Sequence, residues 1–212
     1  MSQVSAPWPH LKRDLIAILR GVKPDEVLAI GEELVEAGID VIEVPLNSPE
    51  PFQSIELLAQ NLASHVLIGA GTVLDPADIA RLDAAGGRLM ISPNVDAEVL
   101  AAAGKANMVT MPGVFTPTEA LAALKAGASG LKFFPASALG PDGIKAISAI
   151  LPKDTVIGAV GGVDETTFAA YKAVGVRTFG LGSSLYKVGA TSSFVRDRAK
   201  ATVEAYDRVF AG

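Results

Sequence analysis

The sequence predicts an α/β fold, a single (β/α)8 TIM barrel spanning residues 1–212 as one domain. Three observations carry that expectation. Short apolar, β-branched runs alternate with Ala/Leu-rich amphipathic segments eight times along the chain. The runs are nearly continuous in apolar residues, as in Asp40-Val41-Ile42-Glu43-Val44, which suits parallel strands covered by helices. Five helical segments end in a small or apolar residue plus a glycine just before a strand, at Gly38, Gly86, Gly104, Gly127 and Gly175. These glycines are 48, 18, 23 and 48 residues apart, and each interval of 48 holds one more strand, so it counts as two units of 24.

In order, the first unit pairs a strand at 14–20 with a helix at 24–37, stopped by Gly38, which accepts the left-handed conformation without a Cβ penalty. The second pairs 39–45 with 50–63, and the third 66–71 with 75–84, where Asp75-Pro76 marks the helix start. The fourth takes 88–92 and 95–103; the fifth takes 108–111 and 117–125, the helix announced by Thr116-Pro117. The sixth joins 129–134 to 141–150 through Gly140-Pro141, the seventh 155–160 to 164–174, and the eighth 176–181 to 191–210. An open doubly wound sheet is the competing architecture. Its dinucleotide loop would have to be Gly69-Ala70-Gly71-Thr72-Val73-Leu74, which lacks the third glycine.

Composition narrows the function. Half the residues are hydrophobic and 19% are charged, enough apolar material for a sizeable core. A net charge of −5 without a basic cluster argues against nucleic acid as partner. With no cysteine, disulfides, thiolate nucleophiles and Cys-based zinc sites are excluded. The two histidines, His10 and His65, form no ligand-like group, so neither metal nor cofactor is expected. Met1 to His10 lacks the pattern of a signal peptide, and no apolar run reaches the ~18 residues of a membrane helix. A cytoplasmic protein that does not engage membranes is expected.

Active sites of such barrels lie where strands end and βα loops begin. In Gly130-Leu131-Lys132-Phe133-Phe134-Pro135, alternation sends Leu131 and Phe133 towards the helices and Lys132 with Phe134 into the barrel mouth. Burial among aromatics lowers a lysine pKa, and a neutral amine can attack a ketone to form an imine. The plainer alternative is a lysine snorkelling from the rim. Glu43 interrupts the second strand, with Val41 on its face and Ile42 and Val44 on the other; it is either a proton shuttle beside that amine or half of an internal salt bridge. Two glycine-rich turns follow the last strands, Val160-Gly161-Gly162 and Gly182-Ser183-Ser184. Their exposed N–H groups, with a short helix after Ser183, suit a phosphate, although tight turns use glycine anyway. Arg20 fits a substrate carboxylate or is a surface arginine. Thr72 is a ligand to a substrate oxygen or a helix cap; Pro93-Asn94 lies at the fourth strand end; Phe134 and Phe115 are apolar walls.

Six segments then occur in order: Glu43-Val44-Pro45-Leu46-Asn47-Ser48, Gly69-Ala70-Gly71-Thr72-Val73, Ser92-Pro93-Asn94, Lys132-Phe133-Phe134-Pro135, Val160-Gly161-Gly162 and Leu181-Gly182-Ser183. Together they resemble the class I aldolases acting on 2-dehydro-3-deoxy-6-phospho sugar acids, over about Leu15 to Tyr186. The resemblance implies a Schiff base on Lys132, proton shuttling by Glu43 through water, and pyruvate contacts from Thr72 and Pro93. It also implies a phosphate held by Gly161-Gly162 and Gly182-Ser183, metal-free release of pyruvate and glyceraldehyde 3-phosphate, and a homotrimer. Members that act on the phosphogluconate epimer resemble Glu-Val-Thr-Leu-Arg at the second strand and Thr-Gly-Gly after the seventh. Here Pro45 and Asn47 occupy the first pattern and Val160 the second, so Arg20 is the replacement cation for the carboxylate. These departures resemble the phosphogalactonate branch, in galactonate catabolism. The alternatives are the phosphogluconate activity, a phosphosugar isomerase or epimerase on the same barrel, and a non-enzymatic binder of phosphorylated ligands.

Overall fold

The computed structural model describes residues Ser5–Ala211; Met1–Val4 and Gly212 of the expected domain lie outside it. Strands are β1 (Leu15–Ile18), β2 (Val41–Pro45), β3 (Leu67–Gly71), β4 (Leu89–Ile91), β5 (Val109–Met111), β6 (Gly113–Val114), β7 (Leu131–Phe133), β8 (Ile157–Val160) and β9 (Thr178–Leu181). Helices are α1 (Pro24–Ala37), α2 (Pro51–Leu62), α3 (Ala77–Ala84), α4 (Ala97–Lys105), α5 (Pro117–Lys125), α6 (Ala136–Ser148), α7 (Phe168–Lys172) and α8 (Ser192–Phe210). All strand pairs are parallel, in the order β5-β4-β3-β2-β1-β9-β8-β7-β6, and β5 runs into β6 through Pro112 alone. The result is a nearly closed parallel barrel of nine strand segments and eight helices among the described residues.

The strand pattern dictates two cores. Residues facing the helices, such as Leu15, Ile42, Val44, Leu131, Phe133 and Phe179, belong to the large outer core, with Val27, Ile30 and Leu34 of α1 packed on it. The opposite set, Ile16, Val41, Leu89, Ile91, Val109 and Met111, fills the barrel interior, plugged by Ala6, Trp8 and Leu11 of the entering chain. Arg13 ties that entry segment to α8, its Nε and Nη2 each donating to Asp207 at 2.7 Å. Helix punctuation follows the sequence: α1 ends at Gly38 with φ 96°, and Thr116 caps α5 in a reciprocal pair with Glu119.

The structure departs from the sequence expectations at four places. The fifth strand, expected at 108–111, is followed beyond Pro112 by an unexpected segment, Gly113–Val114; the missing N–H of Pro112 interrupts the ladder while its carbonyl still accepts from Lys132 N at 2.9 Å. The sixth helix starts at Ala136 instead of 141, because a first turn precedes a break at Gly140 (φ 69°, ψ 168°), and Pro141 opens only its second part. The seventh helix is shortened to Phe168–Lys172, since Asp164 accepts from Thr166 N at 2.9 Å and Thr167 Oγ1 donates to Asp164 O at 2.8 Å, shaping a turn before it. After Ser183 there is a single turn, closed by Leu185 N and Tyr186 N on Gly182 O at 2.9 Å each, in place of a helix.

Candidate active site

Strand alternation brings Lys132 and Glu43 to the inner surface. Lys132 is 7% exposed, between outward-packed Leu131 and Phe133, and its register partners on β6 and β8 are Gly113 and Gly158. The absence of side chains at both flanks leaves room for the lysine stem. Its Nζ lies 4.9 Å from the centre of the Phe134 ring. Burial pushes the Lys132 pKa down; Glu43 opposes that shift and Arg20 reinforces it. Glu43, 3% exposed, sits between Ile18 of β1 and Gly69 of β3 in register, and its carboxylate lies against Gly71, where a Cβ would come within 2.7 Å of Cδ and both oxygens. Burial raises the Glu43 pKa, countered by Lys132 and then Arg20. Glu43 Oε2 has no hydrogen-bond partner, and the two residues form no direct ion pair among the described residues. Each is pushed towards its neutral form while sensing the other, an arrangement suited to moving protons.

Above them, three loops converge. Arg20 Nη1 donates to Asn47 Oδ1 at 2.6 Å and Nη2 to Thr72 Oγ1 at 3.4 Å, so an exposed guanidinium is held over the ends of β1, β2 and β3. Thr72 adopts a left-handed backbone (φ 57°), costly for a β-branched residue by about 1–3 kcal/mol and characteristic of sites where geometry is imposed. The Pro93 carbonyl packs on Gly113, the register partner of Lys132, too closely for any Cβ there.

A cleft of about 410 Å³ opens beside these groups, with Arg20, Phe134, Val160, Gly161, Gly162, Gly182 and Ser183 on its wall. Gly161 (φ 91°) and Gly162 (φ 71°) take left-handed conformations. The N–H groups of Gly162, Val163, Ser183 and Ser184 donate to no group among the described residues, so four backbone donors are available to an anion. Lys132 and Glu43 are not on the cleft wall; they connect to it through Phe134 and Arg20. A larger hollow of about 500 Å³ lies at the opposite end, around Trp8, His10, Lys153 and Arg177, and contains no buried charge. The chemistry therefore belongs at the strand C-terminal ends.

Sequence reasoning missed Ile18 and Asp164, which also line the cleft, and Ser137, whose side chain fills the space against Gly162. A signal for the cavity was present, in glycines at alternate strand positions (Gly69 and Gly71, Gly158, Gly180), because an interior strand glycine marks a close approach. Among the described residues, no group of three or more His, Asp or Glu could hold a metal, and no helix is long and apolar enough to cross a membrane.

Comparison with known proteins fits this geometry. The family model described as "Aldolase: KDPG and KHG aldolase" matches residues 10–201. A relative from Rhizobium meliloti (strain 1021), named probable 2-dehydro-3-deoxy-6-phosphogalactonate aldolase, is 60% identical over 206 residues, 97% of each chain. A solved structure entitled "Native KDPGal structure" superposes with a TM-score of 0.94 at 43% identity, covering 97% of this chain and 100% of its own. The KDPG aldolase of Legionella pneumophila, captured with pyruvate as a covalent carbinolamine intermediate, gives a TM-score of 0.82 at 31% identity, covering 90% and 94%.

Proposed function

The chain belongs to the KDPG and KHG aldolase family and is an aldolase, hence a lyase; on that premise we propose that it cleaves 2-dehydro-3-deoxy-6-phosphogalactonate to pyruvate and glyceraldehyde 3-phosphate. The observation that carries the reading is the buried, mutually coupled Lys132 and Glu43 on the inner surface. Neutral Lys132 attacks the C2 ketone, and Glu43 moves the protons that expel water from the carbinolamine. The protonated imine withdraws electrons, so C3–C4 breaks as the C4 hydroxyl loses its proton, releasing the aldehyde. Protonation of the enamine at C3 and hydrolysis return the amine and pyruvate.

Arg20, oriented by Asn47 and Thr72, holds the substrate carboxylate in this scheme, and Pro93 and Phe134 flank the pyruvate part. Gly161, Gly162, Gly182 and Ser183 form the phosphate site, with the free N–H groups of Gly162 and Ser183 among its donors and no helix dipole behind Ser183. Val160, buried beside Gly180, presents an apolar surface to the C4 region, in keeping with the galactonate epimer. The same reading treats β5 and β6 as one strand interrupted at Pro112, giving a single-domain (β/α)8 barrel, and makes the enzyme a cytoplasmic homotrimer.

Borohydride reduction in the presence of pyruvate tests the core of the proposal. A stable three-carbon adduct on Lys132 is expected, located by peptide mass; an unmodified Lys132 would overturn it. Side-by-side turnover of the galactonate and gluconate phosphate epimers, followed by pyruvate release, tests the substrate, with the galactonate epimer expected to give the higher kcat/KM.

A further inference from the structure

We infer that Arg198 of α8 is a positioning residue that clamps the two glycine-rich turns together at the spacing an oxyanion needs, an inference that rests on the phosphate reading of those turns. Its Nε donates to Ser184 O at 2.9 Å, in the turn after β9, and its Nη2 to Glu165 Oε1 at 2.6 Å, in the turn after β8. The turns also touch directly, Ser184 Oγ donating to Val163 O at 3.4 Å. The peptide linking Ser184 to Leu185 is thereby fixed at both ends, since Leu185 N bonds Gly182 O at 2.9 Å. The free N–H groups of Ser183 and Ser184 ride on that turn, and those of Gly162 and Val163 on the other.

Two features make the arginine specific. Its planar fork holds two acceptors at a set angle, which the single ammonium of lysine does not. It also neutralises Glu165, whose Oε2 is buried without a hydrogen-bond partner and whose charge would otherwise repel an anion in the adjacent turn. Arg20 is the one cation on the cleft wall among the described residues and is already engaged by Asn47 and Thr72. Phosphate binding therefore depends on how accurately the backbone donors are aimed.

The test compares Arg198→Gln and Arg198→Lys with the unaltered enzyme in two reactions. Cleavage of the phosphorylated substrate uses the turns; exchange of pyruvate methyl protons with D2O, followed by NMR, uses Lys132, Glu43 and the carboxylate grip of Arg20 but not the turns. Arg198→Gln is expected to raise KM and the inhibition constant of inorganic phosphate about tenfold, to leave kcat within about threefold, and to leave exchange unchanged. Arg198→Lys should recover little of that loss, and Glu165→Gln, which keeps a neutral acceptor, should cost less than Arg198→Gln. Unchanged KM and phosphate inhibition in both Arg198 variants would overturn the clamp. So would a fall in exchange parallel to the rise in KM, the mark of general damage. If the unaltered enzyme showed no exchange, the roles given to Lys132 and Glu43 would fail by themselves, and calorimetry with inorganic phosphate would still decide the role of Arg198.

Discussion

Gly71→Ala isolates the placement of one carboxylate. Gly71 ends β3 with no left-handed φ, so alanine suits its backbone and recovers the roughly 0.5–1 kcal/mol that glycine costs in a strand. The new methyl would stand 2.7 Å from Glu43 Cδ, Oε1 and Oε2, where ordinary contact begins near 3.4 Å, so the carboxylate must retreat by about 0.7 Å. It is the end of a side chain, hence the fold tolerates the shift and Tm should stay within a few degrees. A reacting group displaced by such a distance loses a factor of about 10–100 in rate, or about 1.4–2.7 kcal/mol of barrier. A lactate dehydrogenase-coupled assay should therefore show kcat down about 10–100-fold with KM little changed. In a Glu43→Gln background the same substitution should cost less than about threefold, since the group it displaces no longer transfers protons. Wild-type kcat for Gly71→Ala, or fully additive losses in the double variant, would refute the role given to Glu43.

Three further outcomes follow from the same geometry. Lys132→Met abolishes the pyruvate adduct yet raises Tm, by about 2–4 °C per kcal/mol recovered; because the folded lysine pKa lies below its ordinary 10.5, the gain is largest at acid to neutral pH and vanishes above 10.5, which differential scanning fluorimetry across pH would register. The pH profile of adduct formation with pyruvate has its midpoint below 10.5, and Glu43→Gln moves it lower still by removing the anion that favours the ammonium form; an upward move would contradict the coupling. Val160→Thr restores a hydroxyl near the C4 region and shifts the kcat/KM ratio towards the gluconate epimer, and an unaltered ratio would remove Val160 from substrate choice.

Alternation along single strands was enough to place Lys132 and Glu43 inside, because a parallel stave under helices allows one polar residue on its inner face only where something answers it. Val41 and Glu43 do lie on one face and Ile42 and Val44 on the other. What the linear pattern did not carry was anything set by close approach between staves. The break at Pro112, the left-handed Thr72 and the fit of Ser137 against Gly162 each depend on a neighbouring strand or loop. Arg198 was the least legible of all. It sits in Arg196-Asp197-Arg198-Ala199-Lys200, a charged stretch of an amphipathic helix, and only the return of α8 over the barrel end brings it to Glu165 and Ser184.

The inner surface divides along the barrel axis, and that division explains how the fold tolerates its own site. Near the strand N-termini the interior is bulky and dry, filled by Ile16, Val41, Leu89, Ile91, Val109 and Met111. One or two positions further along the same inward rows stand Ile18, Glu43, Gly71, Gly113, Lys132, Gly158 and Gly180. Side-chain volume falls away there, and two ionisable groups occupy the space it leaves. Burying either costs stability, and neither ends in an ion pair that would repay it. The packed lower layer keeps the staves in register regardless of what happens above, so the upper layer is free to hold an amine and an acid in states that ordinary solvent would not permit. A methyl group at Gly71, where only the end of the Glu43 side chain stands in the way, would make the barrel a better core and a poorer enzyme.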